Sequence, residues 1–379
     1  MNKRIISIFL CTTLTAQVEY SNNLNIRYGE GDNNYTYEEI YFNTGIILNR
    51  PDDRFEALFS LELSDPPEIG LKEEGIREFL LGYYNKNLSI ELGDFYQSWG
   101  RGLILNQTDY QHLDFNTSAT GLSVGYEKDY ISLNVIAGET NPRKSTTFLG
   151  DYDPRVPNYI LKQTLYGSDL SIESPESTMG LSILFTEEEE APISSVIGGI
   201  RFEKPYDNGD FFLSFISKRS KLDTVDSGSE TDKGNGLYFS NTNYIKDWAL
   251  TSNYRRYRID VKDPSMRDNI LSNYGQALDV QRSPTGYYQH SFKLLSRNSK
   301  QVNLNDEIGL ELELIGPIDE NRTLLVNYTK SSSTKGWHNE FGYWEPEPLT
   351  TTNGNSNSLF PSSDKDSYPF DEIFIELSL

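Results

Sequence analysis

The chain has 379 residues, 13% of them aromatic and 36% hydrophobic, and its 34 Lys and Arg against 56 Asp and Glu give a net charge of −22. That charge argues against nucleic-acid binding, which needs cationic surface to displace phosphate counterions. A single cysteine excludes disulfide scaffolds and Cys-type zinc sites. Because so many large aromatic residues also argue against disorder, we expect a folded, acidic, β-rich protein.

Residues 1–16 have the pattern of a secretory signal peptide. Asn2, Lys3 and Arg4 form a positive segment, an apolar stretch follows, and Ala16 precedes the polar remainder of the chain. The apolar stretch is too short to span a bilayer, and no later segment has 18 consecutive apolar residues. A buried first strand is the alternative interpretation. We expect export, with a mature chain that begins after residue 16.

The body of the chain alternates with period two, as strands with one apolar and one polar face do. The clearest segment places four apolar residues on one face: Ile308, Leu310, Leu312 and Leu314. The other face receives Glu307, Gly309, Glu311 and Glu313. The same alternation recurs in several further segments, at 56–63, 88–93, 131–138, 179–185 and 373–379. No long segment shows a helical stripe.

Tight polar turns connect many of these segments, at 85–87, 127–129, 205–209 and 316–321. Long polar loops are expected near 139–160, 219–235, 259–284 and 331–370. Short turns, long loops and strands of nine to eleven residues are typical of outer-membrane barrels. We therefore predict an all-β fold, a transmembrane antiparallel up-and-down β-barrel of about 16–18 strands. Residues 17–379 would form this single domain, with 102–108 the uncertain strand.

Two soluble architectures are the alternatives, a secreted β-sandwich and a β-solenoid. A sandwich also alternates, but here the hairpins run without a linker, and the polar faces carry carboxylate, Ser, Asn and Gly residues that suit a wet lumen. Aromatic residues near strand ends fit an interfacial girdle: Tyr126, Tyr130, Trp248 and Tyr328. No repeat of fixed period supports a solenoid.

The block Gly93–Leu105 reads Gly-Asp-Phe-Tyr-Gln-Ser-Trp-Gly-Arg-Gly-Leu-Ile-Leu. It resembles the motif Gly-Asp/Asn-Phe-Tyr-x-x-Phe/Trp-Gly-x-Gly-Leu of a family of uncharacterised exported proteins from Bacteroidetes-type bacteria. Similar matches follow at 113–118, in the hairpin 234–256, and at 290–295. The resemblance implies an outer-membrane barrel of unassigned function.

The chain departs from that family in two respects. Thr120 stands where the family usually has an arginine before Gly121. Members of the family are also longer, so we expect either a barrel that is incomplete at Leu379 or, as the alternative, a barrel that ends on this leucine.

Catalytic arrangements are weakly supported. The three histidines are His112, His290 and His338. Ser291 follows His290 directly, and adjacent strand residues point to opposite faces, which disfavours a Ser–His esterase. No two histidines share a metal-ligand spacing, and the acidic run 187–190 fits a solvated loop better than a calcium site. We expect no enzyme, cofactor or metal site.

Residues on the polar faces are the candidates for lining a lumen. They are Glu56, Glu62, Glu91, Asp94, Arg101, Arg255, Glu311, Glu313 and Glu376. Within the glycine-rich block, Asp94 and Arg101 would either pair inside the lumen or belong to a packing corner without a ligand. The excess of carboxylates predicts that an open lumen favours cations.

The leading hypothesis is therefore a passive pore or transporter for small hydrophilic solutes. A non-conducting surface platform is the alternative, binding a partner protein or glycan through its loops with Trp337, Tyr343 and Trp344. A secreted soluble β protein is the third. Expected partners of a barrel are outer-membrane lipid and lipopolysaccharide, whose phosphates Arg256 and Arg258 would meet if they are not ordinary strand-end charges.

Overall fold

The structure is a computed structural model that describes most of the chain after the expected signal peptide. The described residues are 17–30, 36–67, 72–110, 115–141, 143–144, 159–160, 162–189, 193–224, 228–259, 281, 284, 306–334, 337–338, 350–351, 359–367 and 369–378. The expected signal peptide therefore lies outside the described residues, as does most of the expected loop at 259–284.

Strands make up almost all of the described chain. In the first half they are β1 (Gln17–Glu30), β2 (Thr36–Asn49), β3 (Asp53–Ser64), β4 (Glu73–Asn85), β5 (Leu88–Phe95), β6 (Ser98–Trp99), β7 (Leu105–Asn106), β8 (Asp109–Tyr110), β9 (Phe115–Asn116), β10 (Ala119–Lys128), β11 (Ile131–Thr140), β12 (Arg143–Lys144), β13 (Tyr159–Ile160), β14 (Gln163–Ser174) and β15 (Ser177–Glu188). In the second half they are β16 (Ile193–Tyr206), β17 (Gly209–Thr224), β18 (Gly228–Ile245), β19 (Trp248–Arg258), β20 (Asp306–Asp319), β21 (Arg322–Ser332), β22 (Trp337–His338), β23 (Thr350–Thr351) and β24 (Phe370–Ser378).

Sixteen of these strands form one sheet, in the order β1-β2-β3-β4-β5-β10-β11-β14-β15-β16-β17-β18-β19-β20-β21-β24. Neighbours in the sheet follow one another along the chain, and the described pairings are antiparallel. The other eight strands form four two-stranded pairs. This confirms the predicted all-β, antiparallel up-and-down architecture, with a strand number at the lower end of the predicted range.

No helix in the described part of the chain has the length and apolar character needed to cross a membrane.

The chain divides into two compact units, which are described separately. The first, unit 1, contains residues 1–97, 107–170 and 186–190. The second, unit 2, contains residues 98–106, 171–185 and 191–379. The short stretch 98–106 thus belongs to unit 2, although it lies between two segments of unit 1 in the sequence.

In unit 1 the predicted alternation of faces is present. On β3, Phe59, Leu61 and Leu63 are exposed, whereas Glu62 and Ser64 are buried. A strand sends successive side chains to opposite faces, so β3 presents an apolar face to the surroundings and a polar face to the protein. This is the reverse of a water-soluble sheet, which buries its apolar face.

Unit 2 has the same inverted arrangement. Met179 and Leu181 on β15 are 60% and 56% exposed, while the alternate residue Ser182 is only 2% exposed. Exposed apolar residues recur on β14, β16, β17, β20 and β24, as Ile172, Ile200, Phe215, Leu312 and Ile373. An apolar surface of this extent needs an apolar solvent or a partner.

Exposed tyrosines flank short turns in both units. Tyr126 and Tyr130 border the turn between β10 and β11, Tyr206 ends β16, and Tyr244 lies next to the end of β18. An amphipathic aromatic ring at a strand end suits a membrane–water interface. Tyr126 and Tyr130 fit the girdle expected from the sequence, and Trp248 begins β19, whereas Tyr328 lies within β21 and not at a strand end.

One side chain on the apolar face is not exposed as the sequence predicts. Ile308, predicted to be lipid-facing with Leu310 and Leu312, is 1% exposed, and its neighbours Asp306 and Glu307 are buried as well. Both faces are therefore covered at the start of β20. Period-two alternation reports the face of a residue but not what packs over a strand end, so the expectation for Ile308 was wrong.

Two expectations about loops and strands also need correction. Residues 219–235, expected to form a long loop, instead extend β17 and β18, which pair as far as Thr224 with Gly228. Most residues in this segment are polar, so the sequence lacks the alternation of apolar and polar residues that indicates a strand. Residues 102–108 contribute only the two-residue strand β7, so they form no spanning strand.

Candidate functional site

The polar face of unit 1 carries a cluster around Arg77. Ser60 pairs with Glu78 and Leu61 with Ile76, which leaves Arg77 as the extra residue of a β-bulge in β4. A bulge re-aims a side chain and interrupts the regular alternation. This bulge brings the guanidinium of Arg77 onto the polar face, beside the buried carboxylate of Glu62.

Each nitrogen of the Arg77 guanidinium meets a different carboxylate. Nε lies 3.1 Å from Glu62 Oε2, Nη1 lies 3.0 Å from Glu78 Oε1, and Nη2 lies 2.6 Å from Asp109 Oδ1. Charge-assisted bonds of this kind are about twice as strong as neutral hydrogen bonds. Arg77 therefore holds three carboxylates in a fixed arrangement, and the sequence analysis missed it because the bulge shifts its face.

Two further side chains fix Glu78. The Tyr96 hydroxyl donates to Glu78 Oε1 at 2.5 Å, and Asn116 Nδ2 donates to the same oxygen at 2.9 Å. Partial burial and the hydrogen bond to Glu78 raise the pKa of Tyr96, which lies between β5 and β6. Tyr96 consequently acts as a neutral donor at physiological pH.

Asp94, predicted from the glycine-rich block, lies next to this cluster. Its Oδ2 accepts a bond of 2.8 Å from the Phe79 backbone N–H, and its Oδ1 accepts one of 2.5 Å from Thr120 Oγ1. The preceding Gly93 has φ +115, and a Cβ there would lie 2.2 Å from the Phe79 carbonyl oxygen. Gly93 therefore permits the close backbone approach that positions Asp94.

Two cavities open beside these residues, and Arg77 and Asp94 line both of them. The larger has a volume of 460 Å³ and is also lined by Asn23, Asn43, Ser60, Glu78, Tyr96 and Asp109. The smaller has a volume of 170 Å³ and is also lined by Glu62, Asn116, Thr120 and Glu139. Polar groups make up most of the wall of the smaller cavity, which therefore suits water or hydrophilic groups, whereas the larger cavity is also lined by Leu58, Phe79 and Leu80.

The other predicted residues of unit 1 lie on the same polar face but outside the Arg77 cluster. Glu56 forms an ion pair with Arg54. Glu91 accepts a hydrogen bond of 3.0 Å from the Tyr84 hydroxyl. Both carboxylates therefore bond to neighbouring side chains of unit 1. A second cation that sequence analysis missed, Arg27, pairs with the buried Glu39 at 2.9 Å.

On the polar face of unit 2, Arg255 is the centre of a buried ion pair. Arg255 and Glu307 are 1% and 2% exposed, and Arg255 Nε lies 2.5 Å from Glu307 Oε1. Arg255 Nη1 lies 3.7 Å from Glu311 Oε2. A Cβ on Gly309 would lie 2.6 Å from Arg255 Nε, so glycine there makes room for the guanidinium.

Asn327 extends this network to the predicted Glu313. Its Nδ2 lies 3.1 Å from Glu311 Oε1 and 3.3 Å from Glu313 Oε2. The structure thus brings three of the predicted residues together: Arg255, Glu311 and Glu313. Glu376, on β24, instead accepts a bond of 3.2 Å from Ser378 Oγ.

Two more cations that the sequence analysis missed lie on the polar face of unit 2. Arg201 bonds to Ser182 Oγ at 3.1 Å and also to Ser171. Lys218, which pairs with Ile197 across β16 and β17, is buried. Period-two placement could have found both residues. The polar face is therefore less uniformly acidic than the sequence analysis expected.

The glycine-rich block continues into residues 98–106, a small hairpin of β6 and β7 that packs on the polar face of unit 2. Trp99, Leu103, Ile104 and Leu105 are buried. A Cβ on Gly199 of β16 would lie 2.4 Å from Ile104 Cδ1, so Ile104 sits directly on that strand. The hairpin is the packing corner that the sequence analysis considered.

Asp94 and Arg101, considered as a pair from the sequence, have different partners. Asp94 bonds to Phe79 and Thr120, as described above. The guanidinium carbon of Arg101 lies 3.8 Å from the centre of the Phe212 ring. Each residue is thus held by its own local environment.

Of the aromatic residues expected at a loop surface, Trp337 begins the short strand β22, which pairs with β23. Tyr343 and Trp344 lie outside the described residues. Within the described part of the chain, no group of three or more His, Cys, Asp or Glu side chains has an arrangement that would hold a metal ion.

Among solved structures, the chain is similar to several proteins of Pseudomonas aeruginosa, all at low identity. The outer membrane protein OprD matches with 12% identity and a TM-score of 0.42, over 84% of this chain and 74% of that one. OccK9 (OpdG) matches with 11% identity and a TM-score of 0.46, over 84% of each chain. No curated protein matches the sequence significantly.

Sequence comparison with family models gives a match over most of the chain. Residues 2–334 match one family, which is described as a family of unknown function, DUF6029. The match includes the glycine-rich block, the bulge in β4 and the network around Arg255. It agrees with the resemblance to an uncharacterised family. The chain belongs to this family of unknown function, DUF6029.

Proposed function

We propose that the protein is an outer-membrane β-barrel that acts as a passive pore for small hydrophilic solutes. The observation that carries the proposal is the inverted sheet of sixteen strands, in which strands such as β3, β15 and β20 expose apolar side chains while polar residues of the opposite face are buried or half-buried. In hydrocarbon every backbone polar group needs an internal partner, so a spanning sheet has to close on itself. Closure would place the polar face around a lumen.

The exposed apolar surface disfavours a secreted soluble β protein. Such a surface in water would be a site of aggregation, whereas acyl chains solvate it at little cost. The tyrosines beside the short turns would then lie at the interface with the lipid headgroups. Lipid and lipopolysaccharide are the partners that we propose, and Arg256 and Arg258 are the residues that we propose for their phosphate groups.

The location rests on the sequence. A signal peptide at residues 1–16 would export the chain, and the block Gly93–Leu105 fits the motif of Bacteroidetes-type outer-membrane proteins. We infer an outer membrane in a Gram-negative organism. A passive role follows from the polar face, whose carboxylates in the Arg77 cluster and the Arg255 network are bonded to structural partners instead of being set up for catalysis.

Carboxylates outnumber cations in both described networks of the polar face. Arg77 meets Glu62, Glu78 and Asp109. In the other network, Arg255 meets Glu307 and Glu311. A narrow pore with walls of low dielectric constant concentrates the electric field of these excess carboxylates, and this field attracts cations. We therefore propose that the pore favours cations.

Reconstitution into a planar bilayer tests this proposal. In a KCl gradient, the reversal potential is expected to have the sign of K⁺ selectivity, and the preference is expected to weaken at high salt because the field is screened. Anion selectivity would contradict the charge argument. Stable insertion without any conductance would instead favour the surface platform, which binds a partner protein or glycan.

A further inference from the structure

The hairpin 98–106 buries nearly all of its side chains on the polar face of unit 2, with one large exception. Trp99, Leu103, Ile104 and Leu105 are buried, whereas Arg101 is exposed. Because the hairpin lies on the polar face, the exposed guanidinium borders the space in front of that face. If the barrel is a pore, this space is the lumen.

The backbone at Arg101 has an unfavourable conformation for its residue type. Arg101 has φ +54 and lies between Gly100 and Gly102, which have φ +63 and +88. A side chain in this left-handed region has unfavourable steric contacts with the backbone, which glycine would avoid. A large residue in such a position is often kept for what its side chain does.

The side chain of Arg101 is held from one direction only. Its guanidinium lies 3.8 Å from the centre of the buried Phe212 ring, so one flat surface of the group is packed on an aromatic. Arg77 and Arg255, in contrast, are surrounded by carboxylates. Among the described residues, no carboxylate lies within salt-bridge distance of Arg101. The N–H edge of the guanidinium is therefore available to a ligand.

We propose that Arg101 binds the carboxylate group of a small organic solute. A guanidinium presents two parallel N–H groups in one plane, which match the two oxygens of a carboxylate, and the stack on Phe212 fixes that plane. The assignment rests on the proposed function, since the ligand is a solute of the pore. A single anion site on an acidic wall allows selective, saturable binding without reversing the preference of the pore for small cations.

Modification of the full-length protein in detergent with phenylglyoxal, an arginine reagent, tests the site. Arg101 is expected to react readily, and sodium acetate or sodium benzoate is expected to slow its labelling in a saturable manner, as measured by mass spectrometry of peptides. Sodium chloride at equal ionic strength should have little effect. Arg322, exposed and paired with Asp319 at a turn, is the matched control whose labelling should not respond to acetate.

Two variants separate binding from folding. Arg101→Gly suits the left-handed backbone, so its unfolding midpoint should equal or exceed that of the wild type, while benzoate binding measured by calorimetry is lost. Arg101→Lys keeps the charge but loses the planar pair of donors, so binding should weaken about tenfold.

Several results would overturn the site: labelling of Arg101 that acetate and benzoate leave unchanged, unaltered benzoate binding in Arg101→Gly, or protection by inorganic phosphate alone. Protection by carboxylates in a protein that inserts but never conducts would support the site and overturn the pore, so the two proposals fail separately.

Discussion

Replacing Leu312 with Arg is expected to lower the free energy of unfolding from a bilayer by about 2–4 kcal/mol. Leu312 lies on β20, on the exposed apolar face of the sheet. In the proposed barrel this side chain contacts acyl chains, where a guanidinium loses its hydration. Urea titration in lipid vesicles, followed by tryptophan fluorescence, measures the change.

The adjacent residue provides a matched control. Glu313 lies on the polar face, where it accepts a hydrogen bond of 3.3 Å from Asn327. Glu313→Gln keeps the size and most of the hydrogen bonding, so a loss below about 1 kcal/mol is expected. Equal losses in Leu312→Arg and Glu313→Gln would show that the faces are assigned wrongly.

Removing Arg255 is expected to have the largest effect of any single change on the polar face. Arg255→Ala leaves the buried carboxylate of Glu307 without its ion-pair partner at 2.5 Å. Loss of one partner from a buried pair costs about 3–5 kcal/mol, because the remaining buried charge loses the counter-charge that it is bonded to. Urea unfolding of the single variant in vesicles measures this loss.

A double variant distinguishes the charge effect from lost packing. Arg255→Met combined with Glu307→Leu removes both charges and fills similar volume, so it should recover most of the lost stability. If the double variant is as unstable as Arg255→Ala, the guanidinium acts mainly by packing, and the ion-pair interpretation is wrong.

The sequence predicted the faces of β20 well because neighbouring residues there differ sharply in polarity. Leu312 is exposed, Glu311 and Glu313 point to the polar face, and the strand occupies the expected segment. Ile308 obeys the same alternation but is buried. Its burial depends on packing at the strand end, which periodicity does not encode.

The Arg77 cluster could not be predicted in the same way. A bulge adds a residue to β4 and changes the face of everything before it, so a strict period of two misplaces Arg77. Asp109, one of its partners, lies 32 residues further along the chain in a short strand. No local pattern in the sequence indicates that these side chains meet.

The glycine-rich block was predicted in part. Its glycines indicated close backbone approach, which Gly93 shows against Phe79. The pair of Arg101 with Asp94, one of the two interpretations of the block, is not present in the structure. The guanidinium of Arg101 instead stacks on Phe212, more than a hundred residues away in the sequence. Contacts of this range are set by the tertiary fold, so they require the structure.

The central claim, that one face of the sheet meets lipid and the other meets water, is tested most directly by spin labels at residues 310–314 in vesicles. Collision with oxygen, which concentrates in lipid, should be high at Leu310 and Leu312. Collision with a water-soluble nickel complex should be high at Glu311 and Glu313. This alternation is the predicted result, whereas nickel accessibility at all five positions would contradict membrane insertion and with it the proposed pore.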